Sequence, residues 1–343
     1  MLSNITKDWM GVCFVAVLGL AILIFVPMLF DLFEVLQMIK YVVLSLFALS
    51  LAYMWGFGGI LSFGQAGFFG LGGYTFAVAA INMGQTTVPF IMAIGLCALF
   101  AAALGYFMFY GRLNDVYMGV VTLVVTLILW KFINHTAGPE YIIGKARLGG
   151  FNGMPSIPIM TLPWQPDVAL EPAHMFQYFM VILIVVYLFL HFLIKSKFGR
   201  VAISIRENEV RTGLLGYDVR LYKLGVFTIG GAIGGAAGAM WATYQTFIDP
   251  HSFSLEVSAK CLIWVMAGGV GTLFGPIIGV VALEYISLKL GETDVLNNLI
   301  ILGTILVVLV LLLPKGIFPT ARDLVGKLWL WHRNKSSNED KLT

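Results

Sequence analysis

Long apolar runs constrain this chain of 343 residues more than any other feature. A helix needs about 20 mostly apolar residues to cross the hydrocarbon of a bilayer, and several runs reach that length. With 59% hydrophobic and 11% charged residues, the chain has too little polar surface to cover a soluble domain. We therefore predict an all-α polytopic membrane protein with about ten transmembrane helices. They are expected at 9–30, 35–55, 57–82, 88–110, 116–134, 174–194, 224–246, 257–267, 276–288 and 299–313.

The eighth and ninth runs are short and joined through glycines, which favours one broken or re-entrant element. Lysine and arginine are concentrated in the connection 195–223 and in the tail 315–343. Positively charged connections face the cytoplasm, so both segments, and with them both termini, are predicted to be cytoplasmic. The long segment 135–173 then faces the opposite side. The expected organisation is one transmembrane domain over 1–314, followed by the tail.

The connection "GRVAISIRENEVRTGLLGYDVRLYK" mixes acidic and basic residues in an otherwise apolar chain. The absence of proline and the stop signal at Gly216 predict one helix over 200–215. Glu207 and Arg211 are spaced as an i,i+4 pair on that helix. A helix lying on anionic lipid would be mostly basic, whereas mixed charges suit recognition of a protein surface. A solvated loop that only joins two spans remains the alternative.

Glycine is concentrated in three places, and two of them have open interpretations. Around 56–73 and 268–275, the glycines predict either tight helix packing or broken helices beside a substrate path. The residues that we expect nearest to such a path are Ser62, Gly64, Gln65, Gly67 and Thr272. In "TIGGAIGGAAGAM", the glycines form a stripe at four-residue spacing with neighbours beside it, which predicts a helix-packing face. That face comprises Gly230, Gly231, Gly234, Gly235 and Gly238.

Isolated charges within the apolar runs do not form a recognisable site. Lys40, Lys131 and Glu284 are each predicted near an outer membrane boundary, where a charged group can reach water. The sequence offers no carboxylate pair, H-E-x-x-H motif or nucleophile–base arrangement, so we predict no catalytic residue and no metal site. It also lacks a G-x-x-x-x-G-K-[ST] phosphate loop, so any ATP-binding subunit must be a separate chain. The small net charge of +3 argues against a nucleic-acid partner.

Several motifs together resemble a known family. They are "GFGGILSFGQAGFFGLGGY", the charged connection with the glycine-rich run after it, "FIDPHSFSLEVS", "GGVGTLFGPIIG" and "LPKGIFP". In this order they resemble the permease subunits of bacterial ABC importers for branched-chain amino acids. The resemblance implies that the charged connection is a coupling helix, between the sixth and seventh spans, that docks on an ATPase subunit. Its contact residues would be Arg206, Glu207, Asn208, Glu209 and Arg211.

The resemblance also implies an assembly in the bacterial cytoplasmic (inner) membrane. This chain and a second homologous permease subunit would each line half of a substrate path. Transport would proceed by alternating access. Two cytoplasmic ATPase subunits would bind ATP and Mg²⁺, this chain would hold no cofactor, and an extracytoplasmic solute-binding protein would deliver the solute. Urea and short-amide permeases share these motifs and stay open as an alternative. An ion-coupled secondary transporter and a membrane enzyme are further alternatives, which predict a charged site buried in the spans and clustered catalytic residues, respectively.

Overall fold

The structure is a computed structural model that describes residues 17–162, 165–291, 303–304 and 316–320. Eleven helices longer than one turn are bounded within these ranges, together with six short strands and two 3-10 helices. The helices are α1 (Val17–Leu29), α2 (Leu32–Gly58), α3 (Gln65–Met83), α4 (Thr87–Tyr110), α5 (Asp115–Asn134), α6 (Pro172–Lys195), α7 (Lys197–Glu207), α8 (Glu209–Leu214), α9 (Val219–Gln245), α10 (Leu255–Gly268) and α11 (Phe274–Gly291). The strands are β1 (Ile142–Ile143), β2 (Ala146–Arg147), β3 (Met154–Pro155), β4 (Thr161–Leu162), β5 (Gln165–Ala169) and β6 (Phe247–Ile248).

Six of these helices are long and apolar enough to cross a membrane: α2, α3, α4, α5, α6 and α9. They correspond to the second through seventh predicted spans, so the prediction of a helical polytopic membrane protein is confirmed. The count of about ten spans stays a prediction, because the first predicted span begins outside the described residues. Of the tenth predicted span, the structure describes only residues 303–304.

The predicted third span begins later than the sequence indicated. We expected a helix from residue 57, but α2 continues to Gly58 and α3 starts only at Gln65. Gly59 adopts φ 71°, a left-handed conformation that ends α2, and its N–H donates to the carbonyl of Trp55 at 3.2 Å. Residues 59–64 therefore form a non-helical link, which breaks the apolar run at its glycines.

The helix ends meet at two opposite ends of the bundle. At one end, which we call the strand end, Asn82 donates to the carbonyl of Ile143 at 2.8 Å, and the hydroxyls of Thr86 and Thr161 lie 2.8 Å apart. β3 pairs with β6 at the same end, which joins the segment after α5 to the segment after α9. The segments 135–162 and 165–171 and the 3-10 helix Pro250–Phe253 belong to this end.

The other end carries the charged connection, and we call it the α7–α8 end. The ammonium of Lys223 lies 3.7 Å from the Asp115 carboxylate, and Arg220 lies over the ring of Tyr110, 5.7 Å from its centroid. These contacts bring together the end of α4, the start of α5 and the start of α9. The connection is thus packed against the bundle and is not a free loop.

The charged connection is two helices rather than the single helix predicted over 200–215. α7 ends at Glu207, and the extended backbone of Asn208 separates it from α8. The Asn208 side chain accepts a hydrogen bond from the N–H of Arg211 at 2.8 Å, which caps the start of α8. The asparagine side chain accepts a backbone N–H of the first turn of α8, which favours a new helix over continuation of α7. Glu207 and Arg211 therefore lie on different helices.

α10 and α11 run in opposite directions and pack against each other. α10 has 14 residues, about 21 Å of helix, which is shorter than the roughly 30 Å of bilayer hydrocarbon. The loop between them contains Gly269 and Gly271, both with positive φ. The eighth and ninth predicted spans thus form a short helical hairpin that turns at its glycines.

Candidate functional site

A cavity of about 420 Å³ lies near the strand end, between α2, α9, α10, α11 and the 3-10 helix. We call it the Glu284 cavity. Its size falls in the range of small-ligand sites, roughly 300–1,000 Å³. Four of its lining residues carry a formal charge at neutral pH: Lys40, Asp249, Lys260 and Glu284.

The central feature of the cavity is an ion pair between two spans. The Lys40 ammonium lies 2.6 Å from the Glu284 carboxylate, with side-chain exposures of 32% and 8%. Our expectation that Glu284 faces water is therefore wrong. α11 packs along α2, which turns the carboxylate inward to the lysine. A buried carboxylate is tolerated there because it is paired.

A second charged group borders the cavity at the start of α10. Lys260 lies 2.7 Å from the Glu256 carboxylate, one helical turn away, and the His251 imidazole lies 3.8 Å from the same carboxylate. The hydrogen bond from Lys260 lowers the pKa of Glu256, so this carboxylate stays ionised. Ser254 caps α10 by accepting a hydrogen bond from the N–H of Val257 at 3.3 Å, which fixes where this first turn begins.

The remaining wall of the Glu284 cavity is largely apolar. Leu44, Phe69, Trp241 and Trp264 line it. The rings of Phe69 and Trp241 lie 6.1 Å apart between centroids, which braces α3 against α9. A lining that combines charges of both signs with aromatic and aliphatic groups suits a small amphipathic solute.

An additional groove of about 320 Å³ runs between α1, α6 and α11. It is lined by apolar residues such as Ile22, Met180 and Ile277, with Tyr187 as its polar exception. A polar solute would find almost no hydrogen-bonding partner there, so this groove suits a lipid chain or an apolar helix.

The residues predicted near a substrate path lie elsewhere, in the interior around the start of α3. Gln65 is fully buried and its amide donates to the Ser50 hydroxyl at 2.6 Å. The Ser62 hydroxyl and the Gln65 carbonyl oxygen are buried and have no hydrogen-bond partner among the residues that the structure describes. A Cβ on Gly64 or Gly67 would collide with α5 at Thr126, so these two glycines permit close helix approach.

Thr272 lies in the loop between α10 and α11, at the α7–α8 end. Its hydroxyl donates to the carbonyl of Gly269 at 2.9 Å and accepts from the N–H of Gly275 at 3.2 Å. It thereby closes the turn that leads into α11. The structure thus does not bring Thr272 together with Ser62 and Gln65, and none of these three residues lines the Glu284 cavity.

The glycine stripe of α9 lies against neighbouring helices of the same chain. Side chains added at Gly230 and Gly238 would meet Met54 of α2 and Phe69 of α3, respectively, and one at Gly234 would meet Phe68 of α3. Gly231 and Gly235 face Ala101 and Cys97 of α4. α9 therefore approaches α2, α3 and α4 with almost no side-chain spacer.

The five residues predicted for ATPase coupling divide into two groups. Arg206 is exposed overall, and its guanidinium reaches back to donate to the carbonyl of Gly56 at the end of α2. Asn208 caps α8, and Glu209 lies 2.6 Å from Lys223 of α9. Arg206 and Glu209 thus join the connection to α2 and α9, whereas Asn208 bonds within the connection.

Glu207 and Arg211 are exposed. They lie beside a group of exposed apolar side chains, in which Val210 is 74% exposed and Leu214 is 85% exposed. The outer face of α8 is thus free of partners from the described part of this chain, and it combines charge with apolar area.

Arg206 also links the charged connection to the α10–α11 turn. Its side chain packs over Gly59, and Gly56 lies against the backbone of Gly271. Gly316, which belongs to the short described segment 316–320, lies against Gly269. One arginine of α7 therefore contacts the end of α2 beside the turn that leads into α11.

Sequence reasoning missed the Lys40–Glu284 pair. The signal was present, because each residue is a lone charge in an apolar run. The sequence did not show that α2 and α11 are neighbours. Lys40 and Glu284 were therefore each assigned to the membrane–water boundary. Over the residues that the structure describes, no group of three or more His, Cys, Asp or Glu could hold a metal ion.

Comparison with known proteins places these elements in one family. A family model described as "Branched-chain amino acid transport system / permease component" matches residues 35–311. The chain is 31% identical over 288 residues to the high-affinity branched-chain amino acid transport system permease protein LivM of Escherichia coli (strain K12), covering 78% of this chain and 65% of that protein. The protein of the same description from Salmonella typhimurium is 31% identical over 284 residues, with the same coverage of 78% and 65%.

A probable branched-chain amino acid transport permease protein LivM of Methanocaldococcus jannaschii is 27% identical over 240 residues, 65% of this chain and 66% of that protein. The aligned region thus spans slightly less than two thirds of each of these relatives. No solved structure matches the chain significantly. The family match covers more than half of the chain and includes the Glu284 cavity, α7 and α8. The chain is a multi-pass membrane protein that belongs to the family of branched-chain amino acid transport system permease components.

Proposed function

We propose that this chain is a permease subunit of an ATP-driven importer of branched-chain amino acids and that it forms half of the substrate path. The family match over residues 35–311 carries this proposal. The sequence has no phosphate loop of its own, so the motor is a pair of separate ATPase subunits. A second, homologous permease completes the path, and an extracytoplasmic binding protein delivers the solute.

In this assembly the α7–α8 end faces the cytoplasm and the strand end faces outward. Support comes from the lysines and arginines of the connection 195–223, which are gathered at the α7–α8 end. By the same rule, both termini lie in the cytoplasm.

The exposed face of α8 is the docking surface for an ATPase subunit in this proposal. Val210 and Leu214 expose apolar area beside the charges of Glu207 and Arg211. An apolar centre with a mixed-charge rim is typical of protein interfaces. Complementary charges on the ATPase would fix the register of the contact.

Movement of α8 passes to the spans through α7. Val201 and Ile205 of α7 are buried against the bundle, and Arg206 holds the carbonyl of Gly56. When the ATPase subunits close on ATP, α7 carries the end of α2 and the adjoining α10–α11 turn with it. The glycines at these points let the helix ends shift without side-chain collisions. This gives alternating access a mechanical route within the chain.

Ion-coupled secondary transport is the second candidate, and one observation favours it. The buried Lys40–Glu284 pair is a charged site inside the spans, which such a transporter requires. It predicts uptake by this chain alone under an ion gradient. Urea transport has less support, because the family model and the relatives reported above are described as branched-chain amino acid transport components.

The test is uptake of labelled leucine into proteoliposomes that hold this chain with its partner permease and ATPases. We expect uptake to require ATP and binding protein and to persist when ion gradients are collapsed. Charge reversal by Glu207→Lys or Arg211→Glu is expected to release the ATPase on co-purification, while Glu171→Lys, an exposed reversal at the strand end, leaves it bound. Gradient-driven uptake by this chain without ATPase would refute the proposal. Unchanged ATPase binding and uptake in both variants would refute the docking role of α8.

A further inference from the structure

The Glu284 cavity has a charge pattern that selects one class of solute. Its charged lining residues are two lysines, Lys40 and Lys260, and two carboxylates, Asp249 and Glu284. Lys260 is also paired with Glu256, and the Lys40–Glu284 pair presents one charge of each sign to the cavity. A solute with one positive and one negative group finds a partner for each.

The Lys40–Glu284 pair is arranged to exchange partners. Lys40 is 32% exposed and Glu284 is 8% exposed, so the lysine borders open space while the carboxylate is enclosed. Removing one member of a buried ion pair leaves an uncompensated charge, which is strongly unfavourable. A zwitterion avoids this penalty, because its ammonium replaces Lys40 at Glu284 while its carboxylate pairs with the displaced lysine.

The apolar part of the cavity wall accounts for the rest of an amino acid. Leu44, Phe69, Trp241 and Trp264 offer aliphatic and aromatic surface and no charge. An aliphatic side chain attached to the zwitterionic centre would lie against this wall. Urea could hydrogen-bond to these groups, but it has no pair of opposite charges to replace both members of the ion pair and no aliphatic part to lie against the apolar surface.

We propose that the Glu284 cavity binds the solute as a zwitterionic α-amino acid, with the Lys40–Glu284 pair opening to hold its carboxylate and ammonium. This inference rests on the proposed function and names the site of recognition in this chain. The pair also links recognition to movement, since Lys40 lies on α2 and Glu284 on α11. The end of α2 and the turn before α11 meet beside Arg206 at the α7–α8 end. A shift of α11 along α2 therefore opens or closes the pair.

The first test measures protection of a cysteine placed in the cavity. Val257 lines the cavity and is partly exposed, so Val257→Cys is treated with a small methanethiosulfonate reagent in vesicles that hold the full transporter. We expect leucine to slow the modification by about tenfold or more. 4-Methylpentanoate, which lacks the ammonium, and 3-methylbutylamine, which lacks the carboxylate, should not protect. Equal protection by these analogues or by urea, or no protection by leucine, would overturn the inference.

The second test removes the pair without leaving an isolated charge. In the Val257→Cys background, the double variant Lys40→Gln/Glu284→Gln should raise the half-protecting leucine concentration by at least about tenfold. The matched changes Lys131→Gln and Glu171→Gln remove one charge of each sign outside the cavity and should leave that concentration unchanged. Unchanged protection by leucine in the double variant would also overturn the inference.

Uptake by the same vesicles separates this inference from the proposed function. ATP-dependent leucine uptake without leucine-specific protection leaves the function standing and removes the site. Leucine-specific protection without ATP-dependent uptake keeps the site and removes the ATP-driven mechanism.

Discussion

Of the six membrane-length helices that the structure describes, three are mostly buried (the inner helices) and three are mostly exposed (the outer helices), and the inner ones are the less apolar. In the most apolar 18-residue stretch of α2, α3 and α9, 78%, 61% and 67% of the residues are buried. In α4, α5 and α6 the corresponding values are 28%, 28% and 22%. The three inner helices also have the lowest mean hydropathy of the six.

The comparison shows what holds a helical bundle together when its solvent is lipid. Lipid tails are as apolar as leucine, so burying a leucine between helices gains little over leaving it in the bilayer. Close packing is what remains, and it requires small residues. In α3 and α9 these small residues are glycines. Glycine lowers the mean hydropathy of a helix and also lets neighbouring helices pack closely against it, so the two properties change together.

The largest expected effect comes from filling the contact between two inner helices. In Gly238→Leu, the new side chain would collide with the backbone of α3 at Phe69, which no rotamer can relieve. We expect no folded protein to be recovered after detergent extraction, as measured by size-exclusion chromatography of a fluorescent fusion.

Gly95→Leu is the matched control on the outer helix α4, because no atom of the described residues lies within 4 Å of a Cβ at that position. It should give a normal elution profile. Equal behaviour of the two variants would break the distinction between inner and outer helices.

An intermediate effect is expected from shortening one leucine on an inner helix and one on an outer helix. Leu46 of α2 is fully buried, and Leu46→Ala leaves a cavity that costs about 2 kcal/mol of unfolding free energy, the lower end for such changes. Leu99 of α4 is 70% exposed, so Leu99→Ala should change the free energy of unfolding by about zero. Reversible unfolding of both variants in bicelles measures the difference, and equal losses would contradict the assignment of α4 to the outside.

The smallest effect should come from the hydrogen bond between two inner helices. Ser50 of α2 accepts from the Gln65 amide at 2.6 Å. A double-mutant cycle of Ser50→Ala and Gln65→Met is expected to give a coupling of about 0.6 kcal/mol, the average for such bonds within membranes. A coupling of zero would mean that Gln65 is held by packing alone.

The sequence predicted the six described spans well, because each span satisfies its own backbone hydrogen bonds. Length and apolar composition therefore suffice to place it. The predicted boundaries failed where a single residue ends a helix by its own geometry. Gly59 stops α2 with a left-handed conformation, and Asn208 divides α7 from α8 by capping the second helix.

The candidate site was less predictable than the spans. The sequence indicated a charged connection and glycines of close approach, and both lie where helix ends meet. It could not place Glu284, because the surroundings of a side chain depend on the neighbouring helix and not on its own.

The sequence by itself determined that this chain is a membrane protein with mixed charges on one connection. Those properties follow from the free energy of transferring each segment from water to lipid. Only the tertiary structure decided that α2, α3 and α9 are central and that Lys40 meets Glu284 inside the bundle. Transfer into lipid is a property of one helix, whereas packing and ion pairing are properties of two, and many pairings satisfy the same hydropathy.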